Sequence, residues 1–287
     1  MLYPAAGVTK AEVVHYYAEI AQVLLPHLAD RPVTFRRYPE GVTGPSFFEK
    51  NAGSMSPGWV RTVDVARRGR DGDRRLRGGD AVVHYVLLCD RPSLVWAANL
   101  AALELHTPMW RASSCVPTGG YGPADLMVFD LDPGDPASMR ECCAVGLRLR
   151  DVLCAKGYEP HAKTSGSKGL QLYVPLRPAR PWEEVRDEAH RIARSMEREA
   201  PGDVVSNMRK DRRVGRVLID WSQNHAAKTT VAPYSLRGRP RPTVSTPVTW
   251  DEVSDGAAGR SALAFEHTDV LERVQEIGDL FSPLLGG

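Results

Sequence analysis

Apolar residues recur at helical spacing from 10 to about 28, where Val13, Tyr16, Tyr17, Ile20, Val23 and Leu24 share one face; this predicts a first helix. After Pro32 the period drops to two. Val33-Thr34-Phe35-Arg36-Arg37-Tyr38 alternates and is closed by Pro39-Glu40-Gly41, the pattern of a strand and its turn. Strand-like runs at 60–65 and 81–88 flank a polar, Gly- and Arg-rich stretch at 67–80, which reads as a hairpin tip or an arm. The apolar block 96–105 is assigned to a helix stopped before Pro108. Met127-Val128-Phe129 leads as a buried strand into Asp130. Residues 139–156 have the period of an amphipathic helix, and 161–175 read as two strands joined by Ser165-Gly166-Ser167-Lys168-Gly169. A charged surface helix is expected over 182–199, a buried strand at Val217-Leu218-Ile219-Asp220-Trp221, and a final helix over 267–285. Strands and helices interleave irregularly, without an internal repeat or a long linker. The expected class is therefore α+β, in a single domain spanning 1–287.

Composition narrows the picture. Charged residues make up 25% and hydrophobic residues 43% of the 287, values that exclude disordered, collagenous and coiled-coil chains. No apolar run approaches the about 20 residues that cross a bilayer. Met1-Leu2-Tyr3-Pro4 carries no basic stretch followed by an apolar one, so no secretory signal and no membrane partner are expected. Cys89, Cys115, Cys142, Cys143 and Cys154 lack Cys-x-x-Cys spacing, which speaks against disulfides and structural zinc and for the cytoplasm. A net charge of +2 is uninformative, but the cations are clustered. Arg67, Arg68, Arg70, Arg74, Arg75 and Arg77 form one group; Arg209, Lys210, Arg212, Arg213 and Arg216 form another. Such clusters are either solvated surface or the footprint of a phosphate backbone.

Candidate chemistry centres on Phe129-Asp130-Leu131-Asp132-Pro133-Gly134. Carboxylates at i and i+2 of a strand share a face, roughly 7 Å apart. Beside a buried run they need cations to offset repulsion and desolvation, and magnesium is commonly held by one or two carboxylates plus phosphates. An exposed strand end above the Pro-Gly turn is the alternative. Asp220 ends a second buried strand, so three aspartates could serve a two-metal phosphoryl displacement. The 164–169 turn brings hydroxyls, glycines and Lys168 together without Walker spacing, either as a plain hairpin turn or as a phosphate contact. Lys228-Thr229-Thr230 and Ser235-Leu236-Arg237-Gly238-Arg239 add donors, and arginine there suits a triphosphate. Phe47 and Phe48 are either core or a platform for an unpaired base. His106 is a core, capping or site histidine.

These stretches, in order, resemble the polymerase domain of bacterial end-joining repair ligases (ligase D) and its stand-alone primase-polymerase relatives, within the archaeo-eukaryotic primase superfamily. The matching segments are Leu2-Tyr3-Pro4, Phe47-Phe48-Glu49-Lys50, Ala102-Leu103-Glu104-Leu105-His106, 128–134, 164–170, Asp220-Trp221-Ser222-Gln223-Asn224 and Ala232-Pro233-Tyr234-Ser235-Leu236-Arg237. The resemblance implies a primase-polymerase fold, a largely antiparallel central sheet flanked by helices. It also implies template-dependent nucleotidyl transfer, adding rNTPs or dNTPs to a primer 3′ end in gap filling or end joining. Ribonucleotides are often favoured in such enzymes. Asp130, Asp132 and Asp220 match the ligands of two divalent cations, Mn²⁺ or Mg²⁺, with manganese commonly supporting activity best. His106 and Gln223 match further active-site positions. Ser165, Lys168, Lys228 and Arg237 match contacts to the nucleotide. Phe47 and Phe48 match aromatics beside the templating base, Arg213 a template-primer loop, and Lys10 a lysine for the 5′ phosphate across a gap. Partners implied are template-primer or gapped DNA, a DNA ligase and a Ku-like end-binding protein, in a nucleoid-associated setting. Two positions depart from the pattern. Met1 directly precedes Leu2 where relatives carry a lead-in with a second phosphate-binding lysine, so either the start is truncated or gap-end recognition is weaker. Gln171 stands where a histidine is usual, which implies weaker phosphate contact. The rival readings are a nucleotide-sugar transferase using the Asp-x-Asp pair and a non-catalytic DNA-end docking module for a ligase.

Overall fold

The computed structural model describes residues 1–53, 56–66, 82–115 and 120–285. The polar stretch at 67–80, with Arg67, Arg68, Arg70, Arg74, Arg75 and Arg77, lies outside the described residues.

Thr9 caps helix α1 (Lys10–Leu28) in a reciprocal box with Glu12, and Val13, Tyr16, Tyr17, Ile20 and Leu24 are on its buried face. Strands β1 (Thr34–Arg37), β2 (Phe47–Glu49), β3 (Arg61–Ala66) and β4 (Val82–Leu87) follow. The block 96–105 is not one helix. Helix α2 (Arg91–Asn99) ends within it, Ala101 turns the chain with a left-handed φ of 57°, and β5 (Ala102–Thr107) runs on. Five of the six residues of β5 are buried, so the alternation that marks a half-exposed strand is absent and its apolar run passes for helix.

Strand β6 (Ala124–Pro133), helix α3 (Met139–Ala155) and strands β7 (His161–Thr164) and β8 (Leu170–Arg180) stand where the pattern predicts. So do helix α4 (Trp182–Glu199), after which comes the short β9 (Val204–Val205), and β10 (Val217–Asp220). Beyond β11 (Thr230–Val231) and β12 (Pro247–Val248) lies an unexpected helix, α5 (Trp250–Ala257), opened by a Thr249/Glu252 capping box. The final helix, α6 (His267–Ile277), is shorter than expected, because Gly278 leaves helical geometry at φ 71°.

The antiparallel framework is divided between two main sheets. One has the order β11-β5-β1-β2; the other has the order β12-β7-β8-β6-β10-β9, in which β9 and β10 run parallel; β3 and β4 form a separate ribbon. Each main sheet has its own core. Leu24, Phe35, Leu94 and Leu105 unite α1 and α2 with the first sheet. Phe129, Leu149, Leu172, Ile192 and Val253 unite α3, α4 and α5 with the second. A cavity of about 250 Å³ opens between strands of both sheets, walled by His106 and Val231 on one side and by Asp130, Asp132 and Gln171 on the other.

Candidate active site

Sheet register builds the floor of this cavity. Lys163 of β7 pairs with Gln171 of β8, Gln171 with Asp130 of β6, and Asp130 with Asp220 of β10, giving one row across four strands. Asp132 lies two residues along β6, on the face of Asp130. Asp130 as a residue is half-buried, but its Oδ1 is cut off from solvent and has no hydrogen-bond partner. Burial raises its proton affinity first, Asp132 and Asp220 raise it further, and Gln171 and Lys163 only partly counter them. Asp132 is shifted the same way by burial and Asp220, against Arg213 and Arg237. Asp220, in contrast, is satisfied. Its Oδ1 accepts from Ser222 N (2.9 Å) and Ser222 Oγ (2.6 Å), and its Oδ2 from Gln223 Nε2 (2.9 Å).

Two turns close against the aspartates only because they contain glycine. A Cβ on Gly169 would stand 2.2 Å from Leu131 O, and one on Gly134 would stand 1.9 Å from Arg213 O. The Gly134 contact pins the end of β6 to the 213–216 loop through Gly134 N to Arg216 O (2.9 Å) and Gly215 N to Gly134 O (3.1 Å).

Across the cavity, the buried Glu104 of β5 organises the other wall. Tyr38 Oη donates to its Oε1 at 2.8 Å, Gly238 N to the same atom at 3.0 Å, and His106 Nε2 to Oε2 at 2.9 Å; Arg237 Nε lies 3.3 Å from Oε2. Burial alone would raise the Glu104 carboxyl, but His106, Arg237 and the Gly238 N–H together hold it well below the usual carboxylate range. Burial lowers the His106 pKa despite Glu104, so its ring is neutral near pH 7, with the proton on Nε2 and Nδ1 left as an acceptor. Phe48 meets His106 edge-on, with centroids 5.5 Å apart.

Of the residues singled out by sequence, His106, Asp130, Asp132, Ser165, Gln171, Gln223 and Arg237 line the cavity, joined by Thr229, Thr230 and Arg239. Asp220 lies beneath it as the register partner of Asp130. Ser165 Oγ accepts from Ser167 N and Gly169 N, so this hydroxyl also holds its own turn. Lys168 is exposed, 3.7 Å from Asp135, and Lys228 Nζ donates to Ser222 Oγ; neither lines the cavity. Phe47 and Phe48 are exposed neighbours on β2, paired with Arg37 and Arg36 respectively, so they face opposite ways and only Phe48 touches His106. Arg213 bonds Met208 O at 2.6 Å, and Lys10 sits exposed in the first turn of α1, away from the cavity. Glu104 and Lys163 are the residues that sequence reasoning passed over. Each is a charge within a buried strand, which is the available signal.

Carboxylates lining a cavity between two largely antiparallel sheets describe the site, and comparison with known proteins gives the family. The model of the LigD primase-polymerase domain matches residues 9–281; the chain belongs to that family. It is thereby an enzyme of the nucleotidyltransferase class rather than a sugar transferase or a passive docking module. It is 43% identical over 284 residues to the multifunctional non-homologous end joining protein LigD of Mycolicibacterium smegmatis, covering 99% of this chain and 35% of that protein. The bifunctional LigD of Bacillus subtilis is 31% identical over 272 residues, covering 94% of this chain and 40% of that one. The chain thus spans little more than a third of the length of these relatives. Among solved structures, the polymerase domain of Mycobacterium tuberculosis ligase D in complex with DNA matches with a TM-score of 0.90 and 40% identity, over 99% of this chain and 95% of that one.

Proposed function

We propose that residues 1–287 form one catalytic unit that adds ribo- or deoxyribonucleotides to a DNA primer 3′ end under template direction, in gap filling or end joining. The observation that carries this reading is the unpartnered, solvent-free Oδ1 of Asp130, whose carboxyl has Asp132 two residues along its own strand and Asp220 opposite it on β10. Neighbouring carboxylates whose mutual repulsion Lys163, Arg213 and Arg237 offset only in part fit divalent cations. Among the described residues, no three His, Cys, Asp or Glu side chains converge on a single ion position. On this reading substrate phosphates would complete the shell. Asp130, Asp132 and Asp220 would hold the ions, manganese or magnesium, which when bound neutralise the triphosphate and increase the acidity of the primer hydroxyl.

The protein's own groups supply the rest. Arg237 and Arg239 line the cavity with guanidinium donors suited to phosphate. Gln223 keeps Asp220 oriented, and neutral His106, fixed by Glu104, offers an acceptor without adding charge. Phe48 beside His106 offers a stacking surface for a base at the cavity rim. Partners on this reading are primer-template or gapped DNA, nucleoside triphosphates, a DNA ligase and an end-binding protein of the Ku kind. The location is the nucleoid-bearing cytoplasm. Among the described residues no helix is long and apolar enough to cross a membrane.

The test is extension of a labelled primer-template by the purified chain. Runs with and without a downstream 5′-phosphorylated strand compare rNTPs with dNTPs and manganese with magnesium. Asp132→Asn should lower incorporation at least about 100-fold with DNA affinity preserved; activity within about threefold of the parent would remove the carboxylates from the chemistry.

A further inference from the structure

Lys163 stands at the end of the carboxylate row but has no part in the roles assigned above. Its side chain is fully buried. Nζ donates to Gln171 Oε1 at 2.6 Å and to Ser245 Oγ at 2.5 Å, while Ser245 Oγ donates onward to Thr164 O at 2.8 Å. The Tyr173 ring lies 5.3 Å from the same nitrogen. Ser245 is itself fully buried, so the whole assembly is shielded from water.

A glutamine amide has a donating and an accepting end of nearly identical shape, and its hydrogen bonds decide which end faces where. Here Lys163 Nζ meets the carbonyl end. Oε1 is thus held inward, and the two Nε2 hydrogens are turned away from Lys163 toward the side of the Asp130 carboxyl, to which Gln171 also hydrogen-bonds. Gln171 lines the cavity and is the register partner of Asp130. Rotated by half a turn, the amide would set N–H against the Lys163 donors and aim carbonyl lone pairs at a space shared with two carboxylates.

We propose that Lys163 is a positioning residue, which locks the Gln171 amide so that it acts as a fixed N–H donor to the anionic nucleotide in the carboxylate cavity. The inference rests on the nucleotidyl-transfer reading and adds to it a device for holding the substrate phosphates. The Lys163 hydrogen bond spares Gln171 the entropy of choosing a rotamer and an amide face each time a nucleotide binds.

The experiment measures kcat and KM for single-nucleotide incorporation on a primer-template with the full chain. It compares the parent with Lys163→Met, Gln171→Met and the double variant, each checked by Tm and by primer-template Kd. Each single change should lower kcat/KM for the nucleotide about tenfold, and the double should lose no more than either alone, because one residue acts through the other. Primer-template Kd should stay within about twofold. A Lys163→Met enzyme within about twofold of the parent, or losses that multiply in the double variant, would overturn the proposal. If Lys163→Met does not fold, Gln171→Met decides. It removes the amide without adding charge, so parental activity overturns the lock and a tenfold loss with primer-template Kd unchanged supports it. A parent chain that extends no primer would instead sink the nucleotidyl-transfer reading, and this inference with it.

Discussion

Asp130 carries an electrostatic conflict whose consequence is a stability cost that can be measured. Burial, then Asp132 and Asp220, raise its proton affinity. Above the ordinary aspartate range the folded chain therefore binds more protons at this site than the unfolded chain, so stability falls as pH rises toward neutrality. Each unit of such a shift corresponds to about 1.4 kcal/mol. Asp130→Asn removes the charge while keeping the shape. In chelator-treated protein at pH 7 it should raise Tm by about 2–6 °C while abolishing extension, and the gain should shrink at pH 5, where the parent is already protonated. A lower Tm for the variant at pH 7, without metal, would mean that hydrogen bonds to the carboxylate outweigh its repulsion by Asp132 and Asp220. The aspartates were legible in the sequence because each closes an apolar strand run. Glu104 and Lys163 were not, because their meaning depends on partners far along the chain: Tyr38, His106, Gly238 and Arg237 for the first, Gln171 and Ser245 for the second.

At the scale of elements, the junction between β6 and the 213–216 loop ties the carboxylates to a cation-bearing segment. Gly134 permits it: a Cβ there would stand 1.9 Å from the backbone oxygen of Arg213, which cannot swing aside as a side-chain tip can. Gly134→Ala should therefore push the loop off the strand end and break the Gly134–Arg216 and Gly215–Gly134 hydrogen bonds. A cost of about 2 kcal/mol, the usual scale for strain plus lost hydrogen bonds, corresponds to a Tm loss of about 4–8 °C for a chain of this size. Because Arg213 lowers the Asp132 carboxyl, nucleotide incorporation should fall as well; a thermal scan showing no change would mean that the loop yields freely. Most elements with a clear period were readable from sequence, α1, α3 and α4 above all. The α2–β5 break was not, since a strand covered on both faces shows no alternation. Helix α5 was missed although Thr249-x-x-Glu252 announces its start; its eight residues are too few for periodicity to stand out.

Over the whole molecule, two sheets with separate cores meet at the cavity, and sequence could not divide one antiparallel framework into these two, because strand order rests on pairings such as β11 with β5 that local patterns do not encode. The same holds for charge. The cluster Arg209, Lys210, Arg212, Arg213 and Arg216 looks uniform in sequence, yet its members face different partners. Arg209 is paired with Asp211 at 2.7 Å, Arg213 bonds Met208 O, and Arg216 bonds Pro201 O. Lys210 and Arg212 are exposed and have no side-chain hydrogen bond or ion pair among the described residues. If the chain holds primer-template DNA along this face, these two should contribute most of the cluster's counterion release, about 0.9 in the slope of log K against log salt for each phosphate neutralised. Lys210→Ala with Arg212→Ala should thus flatten the slope by nearly 2 and weaken binding at low salt regardless of DNA sequence. Arg209→Ala should change the slope far less, because its charge is already offset by Asp211. Fluorescence anisotropy of a labelled primer-template titrated over a range of salt concentrations measures all three proteins. Equal slopes for the parent and the Lys210/Arg212 variant would move the DNA path off this face of the protein, and a larger effect from Arg209 would show that its ion pair with Asp211 opens when DNA binds.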